Sequence, residues 1–409
     1  MSLVVQKYGG TSVGDPGRIG AVAEHIVQTR NQGHDVVVVV SAMGKTTEEL
    51  LRLADDVSGN EHPRELDMLL TAGERISMAL LCMAIADRSV PAVSFTGSQA
   101  GIVTDESHGR AKILEIKADR LRTAIERGEI AVVAGFQGVS TSQDVTTLGR
   151  GGSDTTAVAL AAAMGAESCE IYTDVAGVST ADPRVVADAR LQARLSYEEM
   201  LDMAATGGRV VAMRAVEFAR NHGVRVHVRS SFTWESGTWI VEEDATMEQA
   251  VISGVTHDVT EAKVTLMRVP DRPGIAARTF RALADADVNV DMIEQNVSID
   301  GHTDISFTVP RDDLSRTLPV METLVGETEA SGFIHDPAIG RISIVGAGMK
   351  THPGVAAKMF EVLAAEDINI EMISTSSIRI SCVVEEADVE PAVRALHKAF
   401  ELADVNGGT

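Results

Sequence analysis

An internal repeat in the C-terminal part constrains the fold of this 409-residue chain more than any other feature of its sequence. The segment 271–280 reads Asp-Arg-Pro-Gly-Ile-Ala-Ala-Arg-Thr-Phe, and the segment 351–360 reads Thr-His-Pro-Gly-Val-Ala-Ala-Lys-Met-Phe. Each copy is typical of a Pro-Gly turn before an amphipathic helix, and each follows an apolar run, 262–269 or 341–345, that predicts a strand. The repeat therefore predicts two similar α+β modules in tandem.

The first 230 residues or so have a different sequence pattern, in which short apolar runs alternate with longer helical patterns. The runs are rich in Val and Ile with little polar alternation, which is typical of strands buried on both faces. The predicted strands are 3–6, 36–40, 92–95, 131–134, 170–172 and 224–228, and the predicted helices are 18–32, 64–86, 117–127, 155–164 and 209–221. This alternation predicts an α/β domain with a mostly parallel sheet sandwiched by helices, which binds ligands at the carboxyl ends of its strands.

Charge and cysteine content exclude several classes of function. The formal net charge of −23 disfavours nucleic acid and anionic membranes as partners, because phosphate contacts need a Lys/Arg-rich surface. The three cysteines lie far apart and predict neither a disulfide framework nor a zinc site. The N-terminus lacks a signal-peptide pattern, and apolar runs such as 76–86 are shorter than a membrane span. We therefore expect a cytoplasmic protein.

The end of the first predicted strand has the composition of an anion site. Lys7 is followed by Gly9 and Gly10, and then by Thr-Ser before a helix. Glycines let backbone N–H groups approach a ligand closely, while the lysine and the helix N-terminus add a positive field. The Walker pattern does not occur in the sequence. A tight turn beside an ordinary surface lysine is the alternative interpretation.

The segment 146–157 is the most specific of the polar segments. Its turn combines three glycines with Arg150, whose planar guanidinium suits a carboxylate or a phosphate. Asp154 follows at a place where it could organise a lysine or a metal. We expect Ser153 and its neighbours to cap the following helix. An ordinary capped helix would need neither the three glycines nor the arginine.

Further segments are less specific on their own. They are the strand-to-helix connection 41–47, the Glu74-Arg75 pair inside an apolar helix, the loop 173–184 and the Gly207-Gly208-Arg209 start of a predicted helix. An N-cap, a surface ion pair and a plain β-turn are the respective alternatives for the first three.

Taken together, these motifs resemble those of the aspartate kinases. The matching segments are Lys7-Tyr8-Gly9-Gly10-Thr11-Ser12, Thr71-Ala72-Gly73-Glu74-Arg75, Thr147-Leu148-Gly149-Arg150-Gly151-Gly152-Ser153-Asp154 and Asp174-Val175-Ala176-Gly177. The tandem modules resemble the two ACT domains of the monofunctional, lysine- and threonine-regulated members. The resemblance covers essentially the whole chain. It implies an amino-acid-kinase catalytic domain over 1–245 and ACT domains over 265–339 and 340–409, the second completed by a strand from about 249–258.

The resemblance implies transfer of the ATP γ-phosphoryl group, with Mg²⁺, to the β-carboxylate of L-aspartate. The product, 4-phospho-L-aspartate, would enter lysine, threonine, methionine and diaminopimelate biosynthesis. The nucleophile has an ordinary pKa near about 3.9 and is already ionised at neutral pH, so no general base is required. Catalysis then depends on charge neutralisation and in-line positioning.

The same resemblance implies roles for individual residues. The catalytic residues would be Lys7, Arg150 and Asp154, and the ATP-binding residues would be Lys7, Tyr8, Gly9, Gly10, Ser41, Thr173, Asp174, Ser179, Asp182, Arg184 and Arg209. The aspartate-binding residues would be Thr47, Glu74 for the ammonium, Arg150 for a carboxylate, Gly151, Gly152 and Ser153. No direct protein ligand to a metal is expected, and Mg²⁺ would arrive with ATP. Two positions depart from the family pattern, since Arg209 stands where lysine is common and Ser179 where tyrosine is common.

The paired ACT domains imply concerted feedback inhibition by lysine and threonine, bound between ACT domains across a dimer. Candidate effector residues are Asp271, Arg272, Pro273, Gly274, Ile275, Ala276, Asn289, Val290, Asp291, Gln295, Asn369, Ile370, Ser374 and Thr375. Ordinary turn residues are the alternative interpretation for each of them. An ACT-only second subunit could start near Met247 and form a heterotetramer with the full chain, unless this residue is an ordinary linker methionine.

Two other functions remain as alternatives. The chain could be another amino-acid kinase that phosphorylates glutamate, acetylglutamate or a nucleotide, although the paired ACT modules and the Thr-Ala-Gly-Glu-Arg helix weigh against this. It could also be a non-catalytic amino-acid sensor with an inactive kinase domain. The presence of Lys7, Arg150 and Asp154 weighs against the second alternative.

Overall fold

The structure is a computed structural model that describes residues 2–60, 62–243, 251–296 and 300–403, without the side chains of 350 and 351. The chain divides into two compact units. The first unit holds the described residues of Met1–Ser179 and Leu191–Met247, and the second holds those of Thr180–Arg190 and Glu248–Thr409. Met247, the candidate internal start, lies outside the described residues.

The first unit is built of alternating strands and helices. Its strands are β1 (Leu3–Tyr8), β2 (Asp35–Val40), β3 (Ala92–Phe95), β4 (Ile102–Thr104), β5 (Ile113–Ile116), β6 (Ile130–Ala134), β7 (Gln137–Ser140), β8 (Val145–Thr147), β9 (Ser168–Thr173), β10 (Arg194–Ser196), β11 (Val226–Ser230) and β12 (Thr238–Val241). Its helices are α1 (Pro16–Asn31), α2 (Thr46–Val57), α3 (Pro63–Ala86), α4 (Asp119–Glu126), α5 (Gly152–Met164), α6 (Tyr197–Ala205) and α7 (Met213–His222). A 3-10 turn, Gly10–Val13, follows β1.

The large sheet confirms the expected mostly parallel, helix-covered architecture. In the described part of the chain its order is β10-β12-β11-β9-β1-β2-β6-β3, and the β11–β12 pair is antiparallel while the others are parallel. All five valines of β2 are buried. Val36, Val38 and Val40 pack with α1 and α3. The side chains of Val37 and Val39 therefore face the opposite side of the sheet, where α5 packs. Burial on both faces explains the unbroken apolar run.

A second, smaller sheet in the first unit was not predicted from the sequence. Its order is β5-β4-β7-β8, and it places the end of β8 directly before the Arg150 turn. These strands have only three or four residues and mix buried with exposed positions, so they lack the long apolar run that marks the large sheet.

Two predicted helix starts also need correction. The helix expected at 209–221 begins at Met213, because Gly207 has a φ of +109° and directs the chain through a turn first. Helix α5 begins at Gly152 after Gly151 in the left-handed region, with no side-chain cap. Ser153 and Asp154 therefore lie within its first turn instead of capping the helix.

Helix α3 is long and apolar enough to cross a membrane by length and composition, contrary to the expectation from its shorter apolar runs. It is nevertheless a core helix, because it packs on α1, β3 and β8. It also buries the carboxylates of Asp67 and Glu74.

The second unit contains the tandem modules. Its strands are β13 (Gly254–Asp258), β14 (Glu261–Pro270), β15 (Ile293–Gln295), β16 (His302–Pro310), β17 (Gly332–Asp336), β18 (Ile339–Val345), β19 (Met372–Thr375) and β20 (Arg379–Glu385), and its helices are α8 (Ile275–Asp285), α9 (Leu314–Thr328), α10 (Val355–Ala365) and α11 (Val389–Ala399). One sheet has the order β15-β16-β14-β17 and the other β13-β18-β20-β19. The first strand of the second sheet comes from before the first module, so the two modules interlace.

The segment 180–190 belongs to the second unit although it lies between two parts of the first in sequence. Ala181 and Val186 join the apolar core of the second module. The Thr180 hydroxyl lies 2.9 Å from His397 Nε2 and donates to the carbonyl of Leu402 at 3.1 Å. The backbone of Val255 donates to the carbonyl of Thr180 at 2.7 Å.

Candidate active site

Two strand-to-helix connections meet at the carboxyl edge of the large sheet. The backbone N–H of Gly44 donates to the carbonyl of Gly10 at 3.0 Å. A Cβ on Gly10 would lie 2.8 Å from the carbonyl oxygen of Ala42, closer than real contacts allow, so this approach requires glycine. The β1 and β2 connections, including Ser41, therefore form one continuous surface of backbone groups.

Lys7 and Asp154 form an ion pair at this edge. Lys7 Nζ lies 2.6 Å from Asp154 Oδ1, and each side chain is only 11% exposed. The other oxygen, Asp154 Oδ2, accepts a hydrogen bond from the backbone of Ala212 at 3.2 Å. The structure thus brings together the end of the first strand and the segment 146–157. Asp154 holds the Lys7 ammonium at the end of β1.

Glu74 is a buried carboxylate with an oxygen that has no partner among the described residues. It is 3% exposed; Oε1 accepts from the backbone of Ala42 at 3.2 Å, and Oε2 makes no hydrogen bond. Burial raises the pKa of Glu74 to about 7. A buried acceptor without a donor is costly, and a ligand ammonium would satisfy it.

Arg150 lies on a turn whose shape depends on the neighbouring glycines. Gly149 and Gly151 have φ values of +78° and +71°. A Cβ on Gly151 would approach the Cβ of Ala212 to 2.3 Å. Arg150 is exposed, and no side chain in the described residues pairs with it. Its guanidinium is therefore available to a ligand, and Ser153, 8% exposed, follows in the first turn of α5.

Among the other predicted ATP-site residues, Thr173, Asp174 and Arg209 lie at the surface of the first unit, whereas the side chain of Tyr8 is buried. Thr173 donates to Asp174 at 3.0 Å at the exposed end of β9, next to β1 in the sheet, and Arg209 is exposed. The Tyr8 ring is fully buried on Tyr172, with centroids 4.8 Å apart. Its side chain belongs to the core, so a contact of Tyr8 with ATP would have to use its backbone.

Ser179, Asp182 and Arg184 lie at or beyond the point where the chain enters the second unit. Ser179 pairs with Leu191 across the base of the 180–190 segment. Arg184 is 90% exposed in its side chain and pairs with Asp182 at 2.6 Å. This pairing keeps the pKa of Asp182 below its usual range, with the Arg184 hydrogen bond as the main cause. The assignment of both residues to ATP stays a prediction.

The candidate effector residues lie on the turns and edge strands of the second unit. The turn before α8 contains Gly274 with a φ of +102°, and Gln295 lies on β15. Ser374 and Thr375 lie on β19. Asp291 is an exception, because it forms an ion pair with Arg341, which is only 2% exposed. Their role as effector ligands stays a prediction.

Two residues near the site were missed by sequence reasoning. Asp67 is buried on the same face of α3 as Glu74, and the seven-residue spacing between them was the available signal. Phe136 has a φ of +67° and accepts from the backbone of Leu148 at 2.8 Å. Nothing in the local sequence marks that left-handed conformation.

The arrangement provides cationic and N–H groups for a polyphosphate, together with the Glu74 carboxylate and the Arg150 guanidinium for the charged groups of a zwitterion. No cluster of three His, Cys, Asp or Glu side chains that could hold a metal occurs in the described ranges. The geometry suits phosphoryl transfer to an amino acid.

Comparisons with protein families agree with this chemistry. The model of the amino acid kinase family matches residues 2–230, and an ACT domain model matches residues 267–323 and 342–400.

Individual proteins with similar sequence or structure point the same way. The aspartokinase of Mycobacterium tuberculosis H37Rv is 56% identical over 407 residues, which cover 98% of this chain and 97% of that protein. The structure of E. coli aspartokinase III in complex with aspartate and ADP, in the R-state, has a TM-score of 0.82 at 25% identity, covering 97% of this chain and 99% of the other. Its T-state structure with lysine and aspartate has a TM-score of 0.73 at 25% identity and the same coverage.

Proposed function

Because this chain belongs to the aspartokinase family, whose members phosphorylate aspartate with ATP, we propose that the residues around Lys7 carry out that transfer. The γ-phosphoryl group would pass to the β-carboxylate of L-aspartate, giving 4-phospho-L-aspartate and ADP. The observation that carries the assignment is the buried Lys7–Asp154 ion pair beside the contact between the two glycine-containing connections.

The chain's own residues would act by position and charge. Lys7 and the backbone N–H groups of Gly9 and Gly10 would neutralise the transferring phosphoryl group. Glu74, with its unpartnered Oε2, would bind the substrate ammonium, and Arg150 would bind a carboxylate. The substrate carboxylate is itself the nucleophile, so no side chain has to remove a proton.

Mg²⁺ fits this site as a companion of ATP. Asp154 is a carboxylate beside Lys7 and could hold part of the ion's water shell, as hard oxygen donors do. When bound, Mg²⁺ supplies charge neutralisation at the phosphates.

Aspartate-dependent ADP release, measured in a coupled assay against a panel of aspartate, glutamate, acetylglutamate and a nucleoside monophosphate, tests the function. We expect ADP release with aspartate and not with the other three acceptors. Arg150→Ala should raise the KM for aspartate by about 100-fold or more, as loss of a bidentate charged contact does. A near-normal KM in this variant would contradict the assignment of Arg150, and equal release with glutamate would contradict the substrate.

We further propose that the second unit makes the enzyme a feedback-regulated one. The ACT modules and the lysine-containing T-state structure of E. coli aspartokinase III support lysine as an effector. On this proposal lysine and threonine inhibit in concert, bound by the candidate effector residues across a dimer of ACT domains. Activity that persists undiminished with both amino acids at millimolar concentration would contradict it.

Domain limits, pathway and assembly complete the proposal. We place the catalytic domain at 1–245 and the ACT domains at 265–339 and 340–409. The enzyme would be cytoplasmic, and its product would serve lysine, threonine, methionine and diaminopimelate synthesis. An internal start at Met247 could supply an ACT-only subunit for a heterotetramer. Mass spectrometry of the protein purified without a tag would detect such a subunit.

A further inference from the structure

We propose that Asp67 is a positioning residue that fixes the span between Glu74 and Arg150, and with it the length of the amino acid that the site accepts. The inference rests on the proposed roles of Glu74 and Arg150 as the ammonium and carboxylate sites. Asp67 itself would touch neither substrate nor phosphate.

Asp67, on α3, receives hydrogen bonds from two other segments of the first unit. Its side chain is 1% exposed. Thr147 donates to Oδ1 at 2.5 Å, His108 Nδ1 lies 2.7 Å from Oδ2, and the backbone of Gly109 donates to both oxygens at 3.1 and 3.2 Å. A buried carboxylate is stable only when such donors converge on it, so helix α3, the 105–110 loop and strand β8 are held together at one point.

The residues bonded to Asp67 lead directly into the Arg150 turn. Thr147 ends β8, three residues before Arg150. The carbonyl of Gly109 lies where a Cβ on Gly149 would be only 3.0 Å away, so the 105–110 loop packs against the turn itself. Ala111 completes the contact, since its backbone N–H donates to the carbonyl of Thr147 at 2.8 Å. A shift at Asp67 would therefore move the turn that carries Arg150.

Asp67 is also rigidly connected to Glu74. Both carboxylates lie on the buried side of α3, seven residues apart, which is about two helical turns or roughly 10 Å along one helix. The amine site and the carboxylate site are thus tied to the same helix, one by its own side chain and the other through Asp67. In this proposal Arg150 holds the side-chain carboxylate, because the extra methylene of glutamate lengthens only the distance between the ammonium and that group. A fixed span would then favour aspartate, by about 10- to 200-fold for one methylene.

Matched variants of two adjacent threonines test the proposal. Thr147→Val removes the donor to Asp67, whereas Thr147→Ser keeps it. Thr146→Val is the control, because Thr146 is equally buried and its hydroxyl lies 2.6 Å from that of Thr104 instead of Asp67. Asp67→Asn is the direct variant. The readouts are kcat and KM for aspartate, glutamate and ATP, together with Tm.

We expect Thr147→Val and Asp67→Asn to raise the KM for aspartate by about 10-fold or more and to lower the aspartate-over-glutamate preference by a similar factor. The KM for ATP should change less than about threefold, and Thr147→Ser should restore the preference. An unchanged preference in Thr147→Val, or an equal loss in Thr146→Val, would overturn the proposal and leave Asp67 a structural residue. If Asp67→Asn fails to fold, the threonine set still decides.

The same experiments separate this inference from the proposed function. Glu74→Gln and Arg150→Ala address the binding roles directly. If either leaves the KM for aspartate at the wild-type value, the proposed function of that residue fails and the inference fails with it. If both raise KM while Thr147→Val changes nothing, only the inference fails.

Discussion

Lys7 is a nearly buried cation in a chain of net charge −23, and its position is held by a single carboxylate. Both substrates of the reaction are anions, so an acidic protein must hold its few cations where the phosphates bind. Glycine-rich connections help because their N–H groups add positive field without adding charged side chains.

Replacing Lys7 with methionine should reduce kcat by about 100- to 1,000-fold, the usual cost of one preorganised charge-stabilising donor. Steady-state ADP release and far-ultraviolet circular dichroism check the result. Lys117→Met is the matched control, because Lys117 is 61% exposed in its side chain and lies outside the site. A loss of less than about tenfold in Lys7→Met, with the fold intact, would contradict a catalytic role for Lys7.

The raised pKa of Glu74 predicts a pH-dependent affinity. With a pKa of about 7 in the free enzyme, Glu74 is mostly neutral at pH 6 and mostly ionised at pH 8. Only the ionised form attracts an ammonium, so the KM for aspartate should fall as pH rises through 7, by up to about tenfold per unit below the pKa. Initial rates across pH 6–8 measure this. Glu74→Gln should raise KM and remove the slope, whereas a flat wild-type profile would count against the assignment.

At the scale of elements, strand β18 carries the most deeply buried charge of the second unit's described residues. Arg341 pairs with Glu261 at 2.9 Å and with Asp291, so β18, β14 and the segment before β15 share one ionic cluster. Burial raises the pKa of Glu261 to about 7, although Arg341 opposes the shift. The cluster joins the two modules through charges that neither could bury alone.

Arg341→Met should destabilise the second unit by about 3–5 kcal/mol, because it leaves two carboxylates near a buried site without their cation. Removing the cation raises the pKa of Glu261 further, and the ionised form is the costly one. The loss should therefore be larger at pH 8 than at pH 5.5. Denaturant unfolding at the two pH values measures it; Arg394→Met, on the exposed surface of α11, is the control. An equal loss at both pH values would contradict the role of Glu261.

The elements that could be predicted are those whose own residues determine them. The valine run of β2 needs burial on both faces, and α1 begins at Pro16 after Asp15, whose side chain accepts from the backbone of Arg18. The small sheet and the late start of α7 depend on tertiary contacts.

At the site, Lys7, Glu74 and Arg150 could be predicted because they are charged residues in apolar or glycine-rich segments. For Asp67 the sequence offers only its seven-residue spacing from Glu74, which indicates a shared helix face, because its hydrogen-bond partners Thr147 and His108 are far away in sequence.

At the scale of the molecule, the segment 180–190 ties residues of the kinase sequence to the core of the second module. Val186→Asp would place a charge in that core, where Val186 is 5% exposed. We expect a lower unfolding midpoint of the second unit and weaker inhibition by lysine and threonine, with the basal KM for aspartate retained. Ala187→Asp introduces the same charge at the exposed neighbouring position and should change neither. Inhibition curves and thermal unfolding distinguish them, and matching behaviour of the two variants would contradict the prediction.

That segment has a consequence for any shorter product of the same gene. A polypeptide starting at Met247 would contain β13 to α11 but would lack Thr180, so His397 and the carbonyl of Leu402 would lose their bonding partner. Ala181 and Val186 would likewise be missing from its core. Such a product would be an incomplete domain, and a peptide spanning 178–192 should raise its melting temperature. In an assembly of the two products, only the longer chain would then supply the segment 180–190.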